Sequence, residues 1–101
     1  DMQTFFSTHG SDTGAKNVMI IVAWLYSKHG VFSIFTKKIS EIASDTGLTV
    51  PSRIDNAMRN AKHNKKNLFT QQGRAWKLTV YGEAFLKEKY GVKKGNEPLE
   101  E

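Results

Sequence analysis

A chain of 101 residues, 39% hydrophobic and 11% aromatic, suits one small folded domain and excludes global disorder. With no cysteine it excludes disulfides and thiolate-bound metals. Its net charge of +5 is concentrated, since Thr49 to Lys77 holds seven Lys and Arg against Asp55 alone and leaves the rest of the chain close to neutral.

Residues 1–11 show no clear period and read as an N-terminal arm, with Phe5 and Phe6 packing on the domain or on a second copy. No basic segment leads into an apolar one there, so no signal peptide is expected. The longest apolar run, Val18–Leu25, is too short to cross a bilayer, and a cytoplasmic protein with no membrane partner is expected. Residues 12–91 form the domain. Ser11 or Asp12 is placed to cap a first helix. That helix is apolar nearly all round from Val18 to Tyr26 and should lie centrally. Lys28 and His29 sit in its last turn, where cations suit the helix dipole, and Gly30 stops it.

Val31–Phe35, rich in β-branched and aromatic residues, reads as a short strand. Thr36 can cap a second helix over 37–46, with Ile39, Ile42 and Ala43 inward and Gly47 at its end. Proline is tolerated in the first helical turn, so Pro51 marks the start of a third helix running to about His63. Its apolar face is Ile54, Ala57, Met58 and Ala61. Its opposite face holds Ser52, Asn56, Arg59 and His63, flanked by Asp55 and Asn60. Asp55 and Arg59 are spaced for an i,i+4 pair. Leu68–Gln71 and Ala75–Leu78 form a hairpin through Gly73. Thr79 caps a last helix, Val80–Tyr90, closed by Gly91. The charged tail, 92–101, is expected to fray.

The order helix, strand, helix, turn, helix, hairpin, helix resembles a winged helix-turn-helix domain over residues 12–90. The run Trp76-Lys77-Leu78-Thr79-Val80-Tyr81-Gly82 resembles the wing-to-helix junction of prokaryotic winged-helix regulators, a Leu-Thr pair followed by a glycine. Here Leu78 enters the core, Thr79 caps the helix, and Gly82 allows close approach to another helix. The implied fold is α+β: a three-helix core containing a helix-turn-helix, a three-stranded antiparallel sheet with the wing, and a C-terminal helix.

The resemblance implies sequence-specific binding of double-stranded DNA, as in a transcriptional regulator or DNA-organising factor. Helix 51–63 would lie in the major groove and hairpin 68–78 on the backbone. Arg59 then suits guanine, and Asn56 and Asn60 suit adenine. Thr49, Ser52, Lys65, Lys66, Arg74 and Lys77 would hold phosphates, with Lys37 and Lys38 at another, and Arg53 and His63 would be further DNA contacts. Trp24, Tyr26 and Trp76 read as core. His9, His29 and His63 lack ligand spacing, and no nucleophile arrangement or phosphate loop is present, so neither metal, cofactor nor catalysis is expected. A homodimer through the first and last helices or the arm is a further expectation. The alternative is a winged-helix scaffold that binds protein and not DNA.

Overall fold

Burial of one helix organises the chain. In the computed structural model, which describes residues 1–10 and 13–99, α2 (Gly14–His29) buries Asn17 to Ala23 without a break, and then Leu25 and Tyr26. A helix apolar all round needs neighbours on several sides. It has them in α1 (Met2–His9), α3 (Thr36–Thr46) and α4 (Ile54–Asn60). The remaining elements are β1 (Lys62–His63), β2 (Lys66–Asn67), β3 (Phe69–Gln72), β4 (Ala75–Leu78) and α5 (Val80–Tyr90). The described residues thus form an α+β domain of five helices and two small antiparallel sheets.

The arm expected at residues 1–11 is a helix along most of its length. The Asp1 side chain caps α1 by accepting from the Thr4 amide at 2.8 Å, and Phe6 is buried with its ring 6.4 Å from that of Trp24. The segment is too short for its periodicity to stand out, and it is held by docking onto α2. The expected cap at Ser11 or Asp12 lies outside the described residues; the residue before α2 is Thr13. Thr36 belongs to α3 and does not cap it, since Phe35 occupies that position.

The expected strand Val31–Phe35 shrinks to one bridge. Ile34 and Trp76 exchange two backbone hydrogen bonds, each 2.7 Å, beside the β3–β4 ladder. That ladder pairs Phe69 with Leu78 and Gln72 with Ala75, and its two-residue turn places Gly73 at φ 63°. Glycine first in such a turn matches the twist of the flanking strands. Trp76 and Leu78 are buried, as is Ile34.

α5 begins as its sequence suggests. Thr79 Oγ1 accepts from the Gly82 amide at 3.1 Å and donates to the Asn67 carbonyl at 2.7 Å. Gly82 is needed for close approach, but its neighbour is hairpin backbone and not a helix: a Cβ there would collide with the Leu68 carbonyl oxygen. The tail, expected to fray, is tied to the end of α2. The amides of Gly95 and Glu97 donate to the carbonyls of Tyr26 and Lys28, both at 2.9 Å. Below this strap the Tyr26 hydroxyl donates to Glu83 Oε1 at 2.9 Å, and Lys94 Nζ lies 3.5 Å from the same oxygen.

Candidate nucleic-acid interface

α4 is shorter at both ends than the periodicity predicts. Pro51, Ser52 and Arg53 precede it, because Pro51 is pressed against α2: a Cβ on Gly14 would lie 3.0 Å from the proline ring. Asn17, fully buried on α2, donates from Nδ2 to the Thr49 carbonyl at 2.8 Å and pins the same loop. At the other end Ala61 is extended and its carbonyl accepts from the Leu68 amide at 3.0 Å. The chain between them folds into the β1–β2 hairpin, pairing Lys62 with Asn67 and His63 with Lys66. Asn64 and Lys65 form its turn at φ 53° and 67°. Two successive left-handed residues suit a tight hairpin, and Asn tolerates that region well, whereas Lys is strained there. Lys62 and His63, expected as the end of the helix, are instead the first strand of this ribbon, and Asn64 to Asn67, expected only as a connection, complete it, because consecutive polar residues carry no period.

The correction moves side chains. His63 is on β1, its ring 5.0 Å from that of Phe85 on α5, and so has left the face it was expected to share with Arg59. Lys65 stands at the hairpin tip, and Lys66 Nζ lies 5.3 Å from the Tyr81 ring centroid. Asp55 does not hold Arg59. It takes a bidentate contact from Arg53, with Nε at 3.1 Å and Nη2 at 3.0 Å, and that hydrogen-bonded guanidinium holds the Asp55 carboxyl below its ordinary pKa. Arg59 instead donates from Nη1 to Asn56 Oδ1 at 2.7 Å and lies 5.5 Å over the Trp76 ring. This holds the guanidinium near a buried indole and ties α4 to β4.

Ser52, Arg53, Asn56, Arg59 and Asn60 are all exposed, as is every side chain from Lys62 to Asn67. Lys37 joins them by sharing a cleft with Ser52 and Asp55. Lys38 does not, since it faces a different cleft with Asp45, Glu97 and Leu99. Arg74 is exposed in the β3–β4 turn, and Lys77 is half-buried on β4 opposite Thr70. Thr49 is exposed in the loop before α4. The sequence reading assigned no role to Lys62, Lys16 or Asn17. Lys62 fell within the basic stretch but was counted inside a helix, and nothing local distinguishes Asn17 from its apolar neighbours.

Among the described residues no group of His, Cys, Asp or Glu is arranged to hold a metal ion, and no helix is long and apolar enough to cross a membrane. α2 has little apolar surface left for a second copy, because its own chain covers it. No protein-family model, no curated protein and no solved structure matches the chain.

Proposed function

We propose that this is a winged helix-turn-helix domain that binds double-stranded DNA, with α4 read into the major groove and the two hairpins held against the backbone. α3 and α4 correspond to the helix-turn-helix, the β3–β4 hairpin to the wing, and the Ile34 bridge to the remnant of the third strand. One observation carries the reading. From Ser52 to Asn67 the exposed side chains are amides and cations apart from Ser52 and His63, and the single carboxylate, Asp55, is taken up by Arg53. A field of one sign with its acids removed attracts a polyanion. On this reading Arg59 and Asn56 form one pre-oriented donor and acceptor pair for base edges, while Lys37, Lys62, Lys65, Lys66 and Arg74 hold phosphates.

Titration of random duplex DNA at several salt concentrations tests it. Five or so phosphate contacts give a log–log slope of about −4 to −5, at about −0.9 per contact. Undetectable binding at low salt by folded protein would overturn the reading. The scaffold alternative draws on a separate observation, since Phe35, Val80 and Tyr81 are 54%, 71% and 50% exposed. Its mark is a protein partner whose binding is lost when Val80 and Tyr81 are replaced by serine, with α4 variants unaffected.

A further inference from the structure

Between the first turn of α2 and the exposed side of α4 lies a groove of about 560 Å³, a size common among small-molecule sites. Its floor is apolar, made by Met19, Ala57, Ala61, Leu68 and Phe85. The two alanines leave the space: Ala57 on α4 and Ala61 just past its end are only half-buried, whereas Ile54 and Met58 are buried. The walls are fixed by the Gly14–Pro51 approach and by the Asn17 hydrogen bond to Thr49, so the groove exists before any ligand arrives. Its rim carries Lys16 and Lys62, with Arg53 beside them already paired to Asp55, and no Asp or Glu lines it. Neither lysine has an ion-pair partner among the described residues. Asp55, the nearest acid along α4, lies outside the groove and is held there by Arg53, whose own charge it offsets.

We propose that this groove binds a small amphiphilic carboxylate, with a flat apolar body on the Ala57 and Phe85 floor and the carboxylate at the lysine-bearing rim. Charge complementarity selects the anion, and the apolar floor selects the apolar body. Asn56 and Asn60 border the same groove, so an occupied groove obstructs α4. The ligand thereby competes with DNA, a consequence that rests on the reading under Proposed function, whereas ligand binding itself does not.

The experiment uses 2-naphthoate as the probe and neutral 2-naphthamide as its control, followed by amide chemical shifts of the full chain without DNA. Naphthoate should perturb Ala15, Asn56, Asn60 and Lys62, with a dissociation constant on the order of 1 mM for a fragment of that size. Naphthamide should bind about fivefold more weakly, and replacing Lys16 and Lys62 together by alanine should erase that preference without unfolding the protein, since both side chains are exposed. Ala57→Phe should fill the groove and abolish binding of both, with melting checked in parallel. Shifts centred on Phe35, Val80 or Leu99, equal binding of the amide and the acid, or no shift at all would overturn the site. Saturating naphthoate should then raise the apparent dissociation constant for duplex. Duplex binding that ignores a bound naphthoate overturns the competition, while absent duplex binding with an intact naphthoate site overturns only the DNA reading.

Discussion

α2 and the segment from Arg53 to Asn67 are of similar length and built on opposite terms. α2 has almost no choice about its surroundings: ten consecutive residues from Asn17 to Tyr26 are buried except Trp24, and its polar anchors, Asn17 and Tyr26, are both satisfied. The second segment buries only Ile54 and Met58 and takes its shape from two left-handed residues and one backbone bond to Leu68. Stability is concentrated in the first and charge in the second, so substitutions in the two should separate folding from binding.

The largest effect should come from Ile21→Ala. Ile21 is fully buried, and emptying such a site costs about 2–5 kcal/mol, a large part of the roughly 5–15 kcal/mol holding a small domain together. Denaturant unfolding measures it, and a loss below about 1 kcal/mol would mean that α2 is not the central element. Asn17→Ala should cost about 1–3 kcal/mol, because the Thr49 carbonyl loses its donor inside the fold. It should also broaden amide signals at Pro51's neighbours Ser52 and Arg53; a change confined to α2 would show that the anchor does not position the entry to α4.

Tyr26→Phe sharpens the comparison through pH. Burial, reinforced by the hydrogen bond to Glu83, pushes the Tyr26 pKa from 10.0 up to about 12. The folded pKa is raised, so this contribution to stability is complete below pH 10 and is lost as pH rises from about 10 toward 12. Tyr26→Phe should lower stability by about 1–2 kcal/mol at neutral pH and narrow its gap to the parent across that alkaline range. A gap that stays constant from pH 9 to 12 would place the hydroxyl outside the titration.

The smallest effect should have opposite signs in the two assays. Lys65→Gly relieves a left-handed lysine and should raise stability by about 0.5–1 kcal/mol. On the proposed DNA reading it also removes one phosphate contact and lowers the salt slope by about one. A variant that gains stability and keeps the full slope would remove Lys65 from the interface.

Much of this was legible in the residues. The continuous apolar run of α2, the stripe Ile39, Ile42 and Ala43 on α3, Thr79 before α5, and glycines at Gly30, Gly47, Gly73 and Gly91 each specify a local conformation through burial, capping or positive φ. The location of the charge was equally plain. Tertiary structure decided where α4 ends, that Lys62 to Asn67 form a ribbon, that Arg59 rests on Trp76 beside Asn56 while Asp55 goes to Arg53, and that the tail straps α2. These outcomes depend on groups distant in sequence: Gly14 against Pro51, Asn17 with Thr49, Ala61 with Leu68, Gly95 with Tyr26. A local pattern sets what a segment can bury and how it can turn. Only the packed chain supplies the partner that stops a helix or aims a guanidinium, because exposed polar side chains have several local conformations of nearly equal energy.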